Sequence, residues 1–434
     1  MENLDYARLQ MAFTLGFHIV FACIGMVMPF FMVVSHKKWL NTRNPIYLDL
    51  TKAWQKGVAI FFVTGAVSGT ALSFELGMLW PGFMKHAGPI IGMPFSLEGA
   101  AFFVEAIALG FYLYGWNKLP EKFHWFTGII IGLSGVASGI LVVSANGWMN
   151  APSGFDYING EFTNIDPVAA FLNDAWFTQA LHMTLAAFVA TSFAVAGIHA
   201  FQIYRNKRAG LHKKAFKIAI VFGAVAAILQ PLSGDLSAKD IAERQPVKLA
   251  AMEAHFETEK GAPLFIGGIV NEEEQEVSHK IEVPGALSFL AFGDFDAEVK
   301  GLNDFPKDEL PPVAIVHYAF QIMVGLGTLL MIAGLFYFWS TRKKSKLQQK
   351  KGFWLFFVLL SPLGFVALEA GWTVTEVGRQ PWIIYQIMKT SEAVTPMPGM
   401  QFSFYMYVMV YVTLAITVTW LMKRQIKVLN ASKD

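Results

Sequence analysis

The residues of this sequence that could do chemistry are ionisable and sulfur-bearing side chains within apolar segments. His18 and His182 lie in two long apolar stretches, and Met323 lies in a third. Ionisable residues within a membrane span are costly and rare, so each is a candidate functional residue. A lone histidine can equally hydrogen-bond a neighbouring helix, and one of 19 methionines can equally serve packing. Taken singly, these residues leave both interpretations open.

Carboxylates form a second group of candidates. Glu98 and Glu105 lie seven residues apart in one apolar segment, which puts both on one face of a helix. Two acids on one face indicate a proton relay or a cation path, and a polar contact with another helix is the alternative. The stretch AGWTVTEVGRQPW places Glu376 and Arg379 just after Trp372, at the end of another apolar segment. Such an arginine can neutralise a bound anion or anchor the chain at lipid headgroups.

Composition assigns the chain to the polytopic membrane proteins. Of its 434 residues, 54% are hydrophobic and only 15% are charged, whereas soluble domains carry about 25% charged residues. A helical span needs about 20 mostly apolar residues. The sequence therefore predicts an all-α protein, a bundle of nine transmembrane helices, at residues 11–34, 54–79, 95–116, 124–147, 176–203, 214–234, 313–339, 352–372 and 402–422.

The distribution of charge predicts the orientation. The loops HKKWLNTRNPIYLDLTK, YRNKRAGLHKK and TRKKSKLQQKK and the C-terminal tail are basic, and they share one side when nine spans alternate. The positive-inside rule then places the N-terminus outside and the C-terminus in the cytoplasm. The expected organisation is helices one to six in 1–234, an extracytoplasmic loop in 235–312, and helices seven to nine with a tail in 313–434. No separate basic, aromatic surface is present, so no nucleic-acid partner is expected.

The candidate ligands come from different spans but fall at similar depth in the outer half of the membrane. Haem iron is commonly held by histidine or by a histidine–methionine pair. Glycine-rich spans offer room for a flat macrocycle, although such spans are also how membrane helices pack. Composition and topology thus leave two classes open, a haem-bearing redox enzyme and an ion or proton transporter.

Seven motifs along the chain carry a family resemblance. They are RLQMAFTLGFHIVF, PFSLEGAAFFVEA, SANGWMNAP, FTQALHMTLAAF, QPVKLAAMEAHFET, FQIMVGLGT and GWTVTEVGRQPW. In this order, and over essentially the whole length, the sequence resembles subunit I of the bacterial cytochrome bd-type quinol oxidases. The resemblance implies oxidation of a membrane quinol on the outer side and reduction of dioxygen to water, with three haems and no copper.

The resemblance also implies ligands for the haem irons. His182 and Met323 look like the axial pair of a low-spin haem b that takes electrons from quinol. His18 and Glu376 resemble the ligands of two high-spin haems. We favour His18 for haem d and Glu376 for the second haem b, although the sequence does not order that pair.

Further roles follow from the same resemblance. Glu98 and Glu105 match carboxylates close to the dihaem site that would hand over protons, which requires a carboxyl whose pKa is raised by burial. Arg379 is expected to neutralise a haem propionate, and Trp372 to stack against a macrocycle or lie between haems.

The outer loop is expected to bind quinol. Lys248 and Glu253 match residues implicated in quinol oxidation, one to stabilise a quinol oxygen and the other to accept its proton. The loop resembles the short form of the family, which leaves ubiquinol and menaquinol open. Two departures stand out: Gln321 replaces an arginine that many members carry, and Ser73 replaces a carboxylate that some carry, with Glu75 two residues on.

The expected mechanism releases quinol protons outside and takes protons for water from the cytoplasm, which generates a proton motive force without a pump. The expected partners are subunit II, a possible small single-span subunit, the quinol, dioxygen and the lipid bilayer. The expected location is the bacterial inner or plasma membrane, with several spans. The rival hypotheses are a proton-coupled transporter using Glu98 and Glu105, and a membrane cytochrome b that does not reduce oxygen.

Overall fold

The computed structural model describes residues 3–342 and 346–431, and within these ranges nine helices are long and apolar enough to span a membrane. The nine predicted spans are therefore confirmed, and each observed helix extends beyond its predicted span at one end or both. Their bounds are α1 (Asn3–Thr42), α2 (Pro45–Leu79), α3 (Pro81–Tyr114), α4 (Glu121–Asn150), α6 (Trp176–Tyr204), α7 (Ala209–Arg244), α10 (Val313–Ser340), α11 with α12 (Lys351–Leu360 and Leu363–Val377), and α14 (Met400–Ala431).

Local sequence signals set several helix boundaries. Asn44 caps α2, since its side-chain oxygen accepts a hydrogen bond from the Ile46 amide at 3.0 Å, and Pro45 fills the first helical position. Pro81 begins α3 in the same way, so only Trp80 separates α2 from α3. Short links of this kind force the two helices into antiparallel contact.

The eighth span is broken, whereas one continuous segment was predicted at 352–372. α11 ends at Leu360 and α12 begins at Leu363. Pro362, which supplies no amide hydrogen for the helical ladder, lies in the turn between the two helices. The Ser361 hydroxyl donates to the Val358 carbonyl at 2.8 Å within the break.

The segment between α7 and α10 is folded. α7 continues to Arg244 where its predicted end was 234, because helical hydrogen bonding persists beyond the apolar stretch. The remainder is built from antiparallel strand pairs. In one long hairpin, β4 (Leu264–Ile266) pairs with β7 (Ile281–Val283), and β5 (Ile269–Asn271) pairs with β6 (Glu276–Ser278). The elements are α8 (Pro246–Glu253), β3 (Glu259–Lys260), β4 (Leu264–Ile266), β5 (Ile269–Asn271), β6 (Glu276–Ser278), β7 (Ile281–Val283), α9 (Ala286–Phe292) and β8 (Glu298–Val299), followed by 3-10 turns at Leu302–Asp304 and Lys307–Glu309.

Two smaller connections lie at the same end of the bundle as this segment, which we call the loop end. The link from α4 to α6 contains β1 (Asp156–Ile158), β2 (Glu161–Thr163) and α5 (Pro167–Phe171), and the link from α12 to α14 contains β9 (Trp382–Ile384), β10 (Met388–Lys389) and α13 (Thr390–Ala393). The opposite end carries the basic connections after α1, α6 and α10 and the end of α14. We call it the basic end.

Small residues let the helices of the bundle approach closely. A Cβ at Gly197 of α6 would lie 2.2 Å from the Ser361 Cβ, and one at Gly364 of α12 would lie 2.6 Å from the Ala190 Cα. Larger side chains at these two positions would push α12 and the break before it away from α6. Close approach through glycine is typical of helix packing in membranes. It brings α6, α7, α10 and α12 together around one interior region.

Candidate functional site

His18 is held in a defined orientation by α2. Its Nδ1 lies 2.9 Å from the Ser68 hydroxyl, which itself donates to the Thr64 carbonyl at 2.9 Å. Because the serine has a single hydrogen, Nδ1 must donate, which leaves a lone pair on Nε2. Metal-binding histidines are commonly oriented in this way by a partner on the other ring nitrogen. Gly69 leaves room for the ring, since a Cβ there would lie 3.0 Å from its Cε1.

His182 is held in the same way by α7. Its Nδ1 lies 3.0 Å from the Ser233 hydroxyl, and that hydroxyl donates to the Gln230 carbonyl at 2.9 Å. The lone pair is again on Nε2, which the Gln230 amide nitrogen approaches to 3.1 Å. Each of the two histidines expected to bind iron therefore has a serine partner on the next helix of the chain.

Met323 lies on α10 against α12. A Cβ at Gly371 would lie 3.0 Å from the Met323 sulfur, so glycine is what gives the thioether its place next to Trp372. α10, which carries Met323, packs with α7 and α12, and α12 packs with α6, which carries His182.

Glu376 is the centre of a polar cluster at the loop end of α12. It accepts a hydrogen bond from the Asn146 side-chain amide of α4 and another from Arg379 Nη2 at 2.7 Å. Arg379 is only 3% exposed, and within the described residues its Nε and Nη1 atoms have no partner. Buried guanidinium nitrogens require an acceptor, so this side chain fits a further anion such as a haem propionate. Two oriented imidazoles and a thioether are donors of the kind that hold haem iron.

Lys248 joins this cluster from the loop. Its Nζ donates to Asn150 Oδ1 at 2.7 Å, and Asn150 in turn donates to Asn146 Oδ1 at 3.2 Å. Lys248 also packs on Gly378, where a Cβ would lie 3.1 Å from its Cγ. Burial lowers the pKa of Lys248 to about 7, with Arg379 acting in the same direction and Glu376 in the opposite one. A path of hydrogen bonds thus runs from buried Lys248 and Asn150 through partly buried Asn146 to Glu376.

Glu253 ends α8 and is 4% exposed. Its Oε2 has no hydrogen-bond partner in the part of the chain that the structure describes. Burial raises the pKa of Glu253 to about 8. A carboxyl group in this state can accept and release a proton near neutral pH.

The first turns of α10 hold the loop in place. Gln321 donates to the Phe265 carbonyl at 2.9 Å and accepts from the Gly267 amide at 3.2 Å. His317 bonds to the Met252 carbonyl through Nδ1 at 2.8 Å, next to Glu253. Gln321 stands where many family members are expected to carry an arginine, and its two hydrogen bonds join β4 and the residue after it to α10.

Glu98 and Glu105 both face α4, as their spacing predicts. Ser138 donates to Glu98 Oε1 at 3.3 Å, and a Cβ at Gly135 would lie 3.6 Å from Glu105 Oε2. Glu105 is buried, whereas Glu98 is only partly so. The two carboxylates therefore line one seam between α3 and α4.

Glu75 and Ser73 point in different directions. Glu75 is fully buried and accepts hydrogen bonds from Gln10 at 2.9 Å and Thr14 at 3.0 Å, both on α1. Ser73 is exposed, with its hydroxyl bonded to the Gly69 carbonyl. The carboxylate of this chain thus faces the helix that carries His18, four residues from Thr14.

Sequence reasoning missed Glu369, which lies on α12 seven residues before Glu376. Its Oε1 is buried without a partner among the described residues, and a Cβ at Gly16 would lie 3.2 Å from its Oε2. The signal was available, since the spacing equals that of the two acids on α3. The orienting residues Ser68 and Ser233 carried no such signal, because serine is common in membrane helices.

Comparison with known proteins accords with this geometry. The chain matches the family model described as cytochrome bd terminal oxidase subunit I over residues 6–429. Cytochrome bd ubiquinol oxidase subunit 1 of Bacillus subtilis (strain 168) is 31% identical over 442 residues, which cover 98% of this chain and 94% of that protein. Cytochrome bd-II ubiquinol oxidase subunit 1 of Escherichia coli (strain K12) is 27% identical over 498 residues, 98% and 96% of the two chains.

Among solved structures, the bd oxidase from Geobacillus thermodenitrificans superposes with a TM-score of 0.93 at 36% sequence identity. The alignment covers 98% of this chain and 98% of that one, so the nine-helix fold is shared throughout. A family model that spans nearly the whole chain and relatives of matching length agree on one assignment. This chain belongs to the cytochrome bd terminal oxidase subunit I family.

Proposed function

We propose that the chain is the subunit of a terminal respiratory oxidase that oxidises a membrane quinol and reduces dioxygen to water. Family membership supports an oxidoreductase of this kind and favours neither a proton-coupled transporter nor a cytochrome b without oxygen chemistry. The observation that carries the proposal is the hydrogen-bonded path from Lys248 to Glu376. It joins the loop residue expected to bind quinol to the side chain expected to bind haem iron.

The ligand assignment is as follows. His182 and Met323 hold a low-spin haem b, His18 holds haem d, and Glu376 holds a second, high-spin haem b, with no copper in the protein. The support is the imidazole orientation, with Nε2 lone pairs at both histidines, and the space that Gly371 leaves for the thioether. Arg379 neutralises a propionate through its unpartnered nitrogens, while Trp372 lies beside Gly371 as a wall of the pocket. Bound haem supplies one-electron transfer and the binding of dioxygen.

Quinol chemistry belongs to Lys248 and Glu253. The Lys248 ammonium, already donating to Asn150, has two further hydrogens with which to orient a quinol oxygen. Glu253 accepts the quinol proton when ionised, and its pKa of about 8 lets it return that proton to water at the loop end. Gln321 keeps the loop against α10 during these steps.

Protons for water formation come along the seam between α3 and α4. Glu105 and Glu98 pass them towards the loop-end half of the bundle, with the Ser138 hydroxyl as a polar neighbour. Release at the loop end and uptake from the basic end generate a proton motive force if the N-terminus is outside and the C-terminus is cytoplasmic. The charged loops support that orientation.

The remaining proposals concern context. The oxidase works with subunit II and possibly a small single-span subunit, uses menaquinol or ubiquinol, and resides in the bacterial plasma membrane. Segments 1–234 and 313–434 supply the helices, and segment 235–312 supplies the quinol-binding unit, of which the part after Arg244 lies beyond α7.

The test begins with membranes that contain the chain and its partner subunit. The proposal expects haem b bands and a red-shifted chlorin band in the reduced-minus-oxidised spectrum, and oxygen uptake driven by reduced quinol. A protein without haem overturns it, and haem without oxygen uptake supports the simple cytochrome b. External acidification by oxidase-active proteoliposomes tests the vectorial part, and its absence refutes that part alone.

A further inference from the structure

A cleft opens at the basic end between α6, the break after α11, and α14. Its volume is about 780 Å³, and its lining includes four cations: Arg205, Lys207 and Lys427 at the rim, and Lys423 on α14 one helical turn deeper than Lys427. Among residues 3–342 and 346–431, the lining contains no aspartate or glutamate. The cleft is therefore an electropositive recess at the level where helices leave the apolar part of the bundle.

The four cations have no carboxylate partner within the described ranges of the chain. Nearby Arg208 contrasts with them, since it binds Asp49 at 3.1 Å. Lys423 and Lys427 lie four residues apart on one helix face, a spacing at which like charges repel each other. An anion between them would remove that repulsion.

Below the rim the cleft becomes apolar. Its wall descends along α6 from Arg205 past Phe201 to Gly197, about 12 Å at the rise of an α-helix. Val358 of α11 faces this wall, and Ile426 of α14 lines the cleft between Lys423 and Lys427. A charged rim over an apolar wall of this depth matches the division of a phospholipid into headgroup and acyl chains.

The rim is held in place without a ligand. Asn430 near the end of α14 donates to Gln202 Oε1 of α6 at 3.0 Å, which fixes the two helices at this level. The cations argue for phosphate.

We propose that this cleft binds one anionic phospholipid from the surrounding bilayer. Its phosphate lies among Arg205, Lys207, Lys423 and Lys427, and its acyl chains lie along Phe201 and the apolar wall. Basic pockets between membrane helices are known to recognise anionic headgroups in this way. The site is distinct from the polar clusters at the loop end and needs neither haem nor quinol.

The test uses the purified oxidase complex after removal of lipid, titrated with dioleoyl phosphatidylglycerol and, separately, dioleoyl phosphatidylcholine. Native mass spectrometry counts bound lipid. The double variant Lys423→Gln with Lys427→Gln is expected to weaken phosphatidylglycerol binding about thirtyfold, since each cation near a headgroup contributes about a factor of five. Phosphatidylcholine binding is expected to be weak and unchanged.

The matched control is Lys213→Gln with Lys217→Gln, an exposed pair with the same spacing at the basic end of α7 that does not line the cleft. Equal weakening by both double variants would show a general surface attraction and overturn the proposal. A photoreactive phosphatidylglycerol should label peptides of α6 and α14, with protection by unlabelled phosphatidylglycerol. Protection by inorganic phosphate alone would indicate a free-anion site, and a polypeptide found in the cleft would assign it to protein; either result contradicts the lipid assignment.

Discussion

The substitution Glu253→Gln tests two effects of this loop carboxylate: its role as a proton acceptor and the free-energy cost of ionising it where it is buried. The side chain is 4% exposed, and burial raises its pKa from 4.5 to about 8. A raised carboxyl pKa means that the folded state favours the neutral form. The cost of ionising it is absent below about pH 4.5, grows as pH rises, and levels off above about pH 8 at about 5 kcal/mol. Between pH 6 and pH 8 this group alone should lower the free energy of unfolding by about 2 kcal/mol.

The amide of glutamine has the shape of the carboxyl group and no charge at any of these pH values. We therefore expect the thermal midpoint of the purified oxidase to fall less between pH 6 and pH 8 in Glu253→Gln than in the wild type. Glu273→Gln is the control, because Glu273 is exposed and its substitution should leave the wild-type pH dependence unchanged.

Activity should follow the same titration with the opposite sign. With a pKa of about 8, the ionised base rises from about 1% at pH 6 to about 50% at pH 8, so quinol oxidation limited by this base rises about fiftyfold. In Glu253→Gln the rate of quinol oxidation should fall about 10²- to 10⁴-fold, and it should no longer rise with pH. Steady-state oxygen uptake with a reduced quinol measures both. A variant that keeps the wild-type rate and pH profile would refute the role of Glu253 as the proton acceptor.

Three further substitutions test the rest of the site. Met323→Leu keeps an apolar side chain of similar volume, so the bundle should fold while the low-spin bands disappear from the reduced-minus-oxidised spectrum; intact bands would contradict the ligand assignment. Arg379→Gln leaves Glu376 without its ion-pair partner, so the free energy of unfolding should fall by about 3–5 kcal/mol and the haem-to-protein ratio should be lower. An unchanged haem-to-protein ratio and thermal midpoint would show that the arginine holds no anion. Lys248→Met should raise the KM for quinol, while the thermal stability at pH 7 is kept or increased. The reason is that the cost of burying the ammonium is present below about pH 7 and fades towards pH 10.5. An equal KM change in the exposed Lys260→Met would count against a specific role of Lys248.

The fold followed from the sequence to a large extent because membrane spans are set by length and apolarity alone. The observed helices differ from the predicted spans where helical hydrogen bonding continues beyond the apolar residues or stops within them. α7 runs on to Arg244 because helical bonds do not need an apolar face. The eighth span has a break at Pro362, whereas Pro29, Pro94 and Pro231 lie within continuous helices, so the presence of proline alone did not predict the break. The strand pairs of the segment between α7 and α10 were not predicted, since two- and three-residue strands give no readable alternation.

For the site, the sequence by itself determined the residue types and their approximate depth. Costly ionisable groups such as His18 and Glu376 stand out in apolar spans whatever their neighbours are. Only the tertiary structure decided their partners: the serine that orients His18, the clamp made by Gln321, and the path from Lys248 to Glu376. These contacts join residues far apart in the chain. Their existence depends on how helices pack, which hydropathy and spacing along one segment do not encode.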